Sequence, residues 1–222
     1  MMKIDTNLYT NNMINVDKIY ICHYNKLVER KKVLIDNLTK CGLFDYTWVE
    51  YFDKDDLEVS ILDIRFPNLF KPNPSGRYLK FSEISLLLKH VYIIEESNRI
   101  GFDTVLVLED DAILDLDFSN KFNYFKSQLP IDWDICFIGE CCNLHIEPKD
   151  GKNVQRSYGS RCTHSYILSK YGINKIINHL KYANDAIDWY YNSMIEKLNL
   201  NCYWFEPSIS SQNKKFNSTI QL

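Results

Sequence analysis

The feature that most constrains this chain is an uninterrupted apolar run, Thr104–Leu108, that follows a glycine and runs directly into Glu109-Asp110-Asp111. Alternating polarity marks a strand with one wet face. Val-Leu-Val-Leu without a break marks a strand covered on both faces, as in a parallel sheet sandwiched between helices. The surrounding pattern agrees. Lys18–Cys22 reads as a short apolar strand, followed by a helical segment carrying Val33, Ile35 and Leu38 and closed by Cys41-Gly42, then a second strand over Tyr46–Phe52. Strand, helix, strand is the opening of an α/β fold. Ser82 is placed to cap a helix with Ile84, Leu87, Leu88, Val91 and Ile94 on one face, ended by Gly101. Further strands are expected at Ile135–Ile138, Ser165–Leu168 and Asn201–Phe205, with helices at about 170–181 and 186–198 and a polar tail from Pro207. Pro67, Pro72, Pro74 and Gly76 exclude regular structure over 66–77, a loop of the kind that covers a site and is expected to move. Residues 1–16 read as a loose polar tail and 17–222 as one domain, which suits 222 residues.

Three carboxylates at a strand end need a partner. In open α/β sheets ligands bind beyond the carboxyl ends of the strands. Alternation along the strand would send Glu109 and Asp111 one way and Asp110 the other. The mutual repulsion of three acids is relieved by a divalent cation, and oxygen ligands suit Mn²⁺ or Mg²⁺. Such an ion can grip a diphosphate leaving group. The plainer alternative is a solvated loop whose acids cap a helix.

Net charge is −3 and no Lys/Arg block is present, so nothing favours nucleic acid or an anionic membrane. No apolar run approaches the ~20 residues of a membrane span, and no apolar leader is visible at the N-terminus. Seven cysteines at irregular spacing do not form a disulfide framework, so reduced thiols and a cytoplasmic location are expected.

Several blocks, in order, resemble glycosyltransferase family 25, the group that includes bacterial lipooligosaccharide glycosyltransferases and procollagen galactosyltransferases. Lys18–Cys22 with Lys26 and Arg30 is similar to the family's first strand and its Asn-Leu-x-Arg-x-x-x-Arg segment. Ser82-Glu83-Ile84-Ser85 through Lys89-His90 resembles its Gly-Glu-Ile-Gly-Cys-x-Leu-Ser-His helix. Val107 to Ala112 resembles its acidic motif, Trp133 to Gly139 its next strand, and Thr163 to Ser169 a later block. Ala186-Ile187-Asp188-Trp189, then Pro207 to Gln212 and Phe216 to Ile220, complete the match. His23 stands for the family's first Asn, Lys26 for its first Arg, and Ser82 and Ser85 for two Gly.

The resemblance implies a GT-A-type nucleotide-sugar-binding fold with a mixed, mostly parallel sheet flanked by helices. It implies an inverting transfer of a sugar, galactose or glucose, from a UDP-sugar to a hydroxyl of a glycan or protein, collagen-like hydroxylysine included. It also implies Asp111 as first metal ligand, with Glu109 or Asp110 in support and His164 as a further ligand or a core histidine. Lys26 and Arg30 then face the nucleotide phosphates, although a surface salt bridge would also explain Arg30. Glu83 and His90, two helical turns apart, share a face that looks into the site or form a buried pair. Gln212 is either placed for the diphosphate or a surface residue of the tail. Asp188 is the expected catalytic base and Glu140 its runner-up. A family member without catalysis, binding a sugar nucleotide or a partner, is the alternative; a two-metal phosphohydrolase lacks a second acidic cluster.

Overall fold

The computed structural model describes residues 14–139, 151–160 and 162–216. Nine strands and six helices are assigned among them. The strands are β1 (Lys18–Cys22), β2 (Tyr46–Val49), β3 (Thr104–Glu109), β4 (Ala112–Leu114), β5 (Ile135–Phe137), β6 (Val154–Arg156), β7 (Ser165–Ser169), β8 (Cys202–Phe205) and β9 (Ser210–Gln212). The helices are α1 (Val28–Lys40), α2 (Val59–Arg65), α3 (Phe81–Ile100), α4 (Phe118–Lys126), α5 (Lys170–Ile176) and α6 (Ile187–Lys197), with a 3-10 segment, Ile177–Tyr182, extending α5.

The main sheet has the order β2-β1-β3-β7-β5-β8-β6. β2, β1, β3, β5 and β8 run one way, and β7 and β6 run against them. The α/β class and the mixed, mostly parallel sheet flanked by helices are therefore as the sequence implies. β4 and β9 form a separate two-stranded ribbon.

Both faces of the sheet are covered, as the unbroken apolar strands require. Val105 and Val107 of β3, with Tyr20 and Cys22 of β1, pack into a core built on α3, α5 and α6. Leu106 and Leu108, with Ile19 and Ile21, pack into a second core built on α1 and α4 through Leu34, Leu38, Phe118 and Phe122. The side-chain period of two thus assigns odd positions of β3 to the α3 face and even positions to the α1 face.

Four sequence expectations change. The buried stripe of α1 is Arg30, Leu34 and Leu38, while Val33 and Ile35 are exposed. The stripe follows the i, i+4 rows of the helix, and the charge at its first position is satisfied by Asp110. The long helix starts at Phe81, with Lys80 rather than Ser82 at its N-cap. The segment after Pro207 is not a plain tail, because Ser210–Gln212 pairs with β4. Ile14 is buried and Val16 packs on the same core, whereas residues 1–13 lie outside the described residues.

The 66–77 segment has neither helix nor strand, as expected, but it is well tied down. Phe66 and Leu69 are buried. Asn73 accepts the backbone N–H groups of Ser75 and Arg77, each at 3.1 Å, and donates to Asp185 Oδ1 at 2.7 Å. Arg77 grips Glu83 with two hydrogen bonds of 2.7 Å.

Where β5 ends, Gly139 bridges to Ser210 and lies against β7's first residues. A Cβ there would come within 2.1 Å of His164 Nε2 and 2.3 Å of Ser165 Oγ. Both neighbours are buried and have no room to yield. Gly139→Ala is expected to destabilise the fold by about 1–3 kcal/mol through overpacking, read as a lower midpoint in urea with an unchanged m-value.

Candidate active site

β1 and β3 are adjacent and parallel, with Cys22 opposite Glu109. Their carboxyl ends therefore deliver His23 and the Glu109-Asp110-Asp111 run to one place. The parity of β3 sorts the first two acids. Glu109 turns to the α3 face. There Thr163 Oγ1 donates to its Oε1 at 2.6 Å, and His90 Nε2 stands 3.5 Å from the same oxygen. Asp110 turns to the α1 face, where Arg30 donates to Oδ1 at 2.8 Å and His23 Nδ1 lies 2.9 Å from Oδ2. Asp111 lies beyond the strand, lining the same pocket as Glu109. β3 ends at Glu109 and the chain turns into β4, leaving Asp111 Oδ2 3.5 Å from the Arg30 guanidinium.

The three acids thus differ in state. Burial opposes ionisation of Glu109, but the donors His90 and Thr163 outweigh it and hold the carboxyl below its ordinary range. Burial, reinforced by the charge of Glu109, pushes Asp111 up to about 7. Its Oδ1 is buried with no hydrogen-bond partner. Both Asp110 oxygens are engaged, Oδ1 by Arg30 and Oδ2 against His23, so each is already tied to the protein.

Two pockets meet at this strand end. The larger, about 470 Å³, is lined by His23, Arg30, the three acids, and Ser82, Ser85 and Lys89 of α3. Lys54 closes one rim, and Asn213, Lys214 and Phe216 close the other. Among the described residues neither Lys54 nor Lys214 takes part in a salt bridge. The C-terminal segment is fastened by the Asn213 N–H to the Asp111 carbonyl at 2.7 Å and by the Phe216 ring, 5.5 Å from the Arg30 guanidinium. The smaller pocket, about 210 Å³, is lined by Arg77, Glu83, Thr163, Asp188 and Trp189. Leu86, Glu109 and Gln212 line both.

Asp188 sits in the first turn of α6, where burial, with a smaller contribution from Glu109, raises its carboxyl above the ordinary value. Trp189 beside it is 54% exposed. Glu83 lines the smaller pocket but is spent on Arg77 and on the Lys80 N–H at 2.8 Å. Lys26 does not line the larger pocket; it pairs with Asp55 at 2.6 Å on the surface. His90 and His164 are buried and line neither pocket. Glu140 lies outside the described residues. Sequence reasoning missed Lys54 and Lys214, which stand in loops with no motif of their own, and gave no role to Phe216 of the family-like end block. It also missed His23 as a partner of Asp110, although its departure from the family's Asn was a signal.

Cys22, Cys41, Cys136 and Cys202 are free and buried, as expected. Cys162 is disulfide-bonded, against the expectation of seven reduced thiols. Such a pairing depends on tertiary proximity, which sequence spacing does not display.

For a divalent cation the fit rests on Asp111. Its buried, unpartnered Oδ1 is an oxygen donor of the kind Mn²⁺ and Mg²⁺ take. Glu109 can add Oε2, since its contacts fall on Oε1. Among the described residues no group of three or more His, Cys, Asp or Glu side chains is arranged to hold a metal.

The fold and cleft define an α/β protein with a pocket of acids and cations at the carboxyl end of its sheet, beside a second pocket built around a carboxylate and an exposed indole. The chain belongs to glycosyltransferase family 25: the family model, described as an LPS biosynthesis protein, matches residues 16–191. The GT-A-type fold implied by the resemblance holds with it, and glycosyl transfer is the family's chemistry. Procollagen galactosyltransferase 1-B of Xenopus laevis is 28% identical over 116 residues, which is 49% of this chain and 19% of that protein. The chain thus spans about a fifth of that relative's length. Among solved structures, a glycosyltransferase involved in glycosylation of the major capsid of PBCV-1 is similar with a TM-score of 0.49 and 11% identity, over 90% of this chain and 93% of that one. A197 from STIV gives a TM-score of 0.44 and 11% identity, over 86% and 81%. No helix among the described residues is long and apolar enough to cross a membrane.

The state of Asp111 sets a pH dependence. Its folded value, about 7, exceeds the ordinary carboxyl value of 3.8, so the folded protein holds a proton that the unfolded chain releases between those limits. Stability falls as pH rises through that window. In metal-free buffer at pH 7.5, Asp111→Asn is expected to stabilise the protein by on the order of 2 kcal/mol, the raised value discounted for partial exposure. The gain should fade as pH falls from 7 towards 4 in a thermal-melt series.

Proposed function

We propose that the chain is an inverting glycosyltransferase that moves galactose or glucose from a UDP-sugar to a hydroxyl of a glycan or protein. The observation that carries this reading is the pair of pockets sharing Glu109 and Gln212, one rimmed by cations and one holding Asp188 and Trp189. The larger pocket lies in the size range of small-molecule sites. Lys54, which lies over the Tyr24 ring, and Lys214 make no salt bridge among the described residues and supply charge for a diphosphate. A divalent cation, Mn²⁺ or Mg²⁺, would be held by Asp111 and Glu109 and supplies charge stabilisation to the departing diphosphate.

In this reading the acceptor hydroxyl enters the smaller pocket, its ring stacked on Trp189. Asp188 takes the hydroxyl proton as the oxygen bonds to the anomeric carbon. The bond from that carbon to the diphosphate oxygen breaks, and UDP departs with the electron pair from the opposite side. A carboxyl raised by burial suits this role, because a base works best when its pKa approaches the operating pH. A non-catalytic sugar-nucleotide binder would use the larger pocket alone, and Asp188 gives it no function.

Two measurements test the reading. Titration calorimetry should show UDP-galactose or UDP-glucose binding in Mn²⁺ that weakens at least about tenfold in EDTA or in a Lys54→Ala, Lys214→Ala double variant, the effect of removing charge-assisted contacts. Equal affinity in all three conditions would overturn it. Asp188→Asn should lower kcat by roughly two orders of magnitude or more while leaving donor affinity nearly unchanged, as expected for a group acting only in the transition state. Undiminished turnover in Asp188→Asn would remove Asp188 from the chemistry.

A further inference from the structure

Behind the cleft lies a buried polar chain that the transfer reaction as drawn does not use. Tyr191 lies on α6, three residues beyond Asp188; Tyr166 lies on β7; His90 lies on α3. None of the three is exposed at all. We propose that Tyr191, Tyr166 and His90 form a positioning relay for Glu109, carrying one hydrogen-bond direction from α6 to the carboxylate that both pockets share. The inference rests on the glycosyltransferase reading for its catalytic consequence, but its geometry stands apart from it.

The direction follows from counting protons. The Tyr191 hydroxyl donates to the Tyr166 hydroxyl at 2.9 Å. Having accepted, Tyr166 keeps its own proton for His90 Nδ1, 2.7 Å away. With Nδ1 accepting, a neutral imidazole carries its proton on Nε2. Nε2 is buried with no hydrogen-bond partner and stands 3.5 Å from Glu109 Oε1. The reverse direction would put the Nε2 lone pair against a carboxylate and leave the Tyr191 proton without an acceptor. Both arrangements cost more than the forward one.

At 3.5 Å the last contact is longer than a formed hydrogen bond. Such contacts at sites without substrate tighten when the site fills. Thr163 already donates to the same oxygen. Oε1 is thus held by Thr163 with His90 poised behind it, and Oε2 is left for the cleft. The stacked His90 and Tyr166 rings, 5.6 Å apart at 22°, fix the imidazole plane and so the line along which Nε2 points. The family-like Glu-Ile-Ser-Leu-Leu-Leu-Lys-His segment therefore ends in a residue that acts through Glu109 and lines neither pocket.

Histidine ¹⁵N NMR of the free protein tests the direction without reference to activity. The His90 signal, assigned by its loss in His90→Gln, should show the Nε2–H tautomer, and Tyr166→Phe, which keeps the ring, should mix the tautomers. An Nδ1–H ring in the native protein would overturn the relay. In the kinetic arm, with UDP-galactose and UDP-glucose as donors, Tyr166→Phe should lower kcat about tenfold with donor KM within about twofold. His90→Gln, whose amide still donates, should retain more activity than His90→Leu. A Tyr166→Phe enzyme with native kcat, or equal losses in Gln and Leu, would also overturn it. If the native protein turns over neither donor, the function proposed above fails, and the NMR result still decides the relay.

Discussion

Asp110 is the residue on which the rest of the site depends. It is buried at the junction of β1, α1 and β3, and it is bonded from two elements at once, by the guanidinium of Arg30 on α1 and by the ring of His23 just beyond β1. Removing one partner of such a buried pair costs about 3–5 kcal/mol, because the other charge is stranded. The same pairing fixes the larger pocket. Arg30 also reaches Asp111 and carries the Phe216 ring on its face, so one guanidinium joins the acid cluster to the C-terminal rim. The floor and the far wall of the cleft are therefore set by a single buried cation.

From this lock the division of labour among the three acids follows. The strand period sends Glu109 and Asp110 to opposite faces: Glu109 meets His90 of α3 and Thr163 before β7, and Asp110 meets the guanidinium of α1. One acid is held ionised, one is consumed as a structural anion, and Asp111, at the turn, keeps a buried oxygen without a partner. A motif that looks like three equivalent ligands in sequence is three different groups in space.

Much of this was legible in the chain. The unbroken Val-Leu-Val-Leu run gave a strand covered on both sides, and its alternation foretold the split of Glu109 from Asp110. Arg30 could have been found from the spacing of Leu34 and Leu38, since a charge at the head of an i, i+4 apolar row must meet a buried counter-charge. What was not legible depended on contacts remote in sequence. β4 and β9 are three residues each and polar at β9, too short to show a period, and exist because they pair with each other. Lys54 and Lys214 become neighbours of the acids only through the strand order. The Pro-rich 66–77 segment read correctly as irregular, but the ties that anchor it, Asn73 to the remote Asp185 and Arg77 to Glu83 in the first turn of α3, follow from no periodic pattern.

The β4–β9 ribbon has a consequence for how the molecule is assembled. It joins Ala112 to Gln212, so the ribbon closes a loop of about a hundred residues that contains β5, β6, β7 and β8. Closing so long a loop costs entropy that a few ribbon hydrogen bonds do not return by themselves. The ribbon therefore gains its stability after the main sheet has drawn its two ends together, as topologies of high sequence separation do. β1, β2 and β3 can pair and bury their apolar faces while the rim with Lys214 and Phe216 is still open. The C-terminal wall of the cleft therefore depends on the main sheet for its closure.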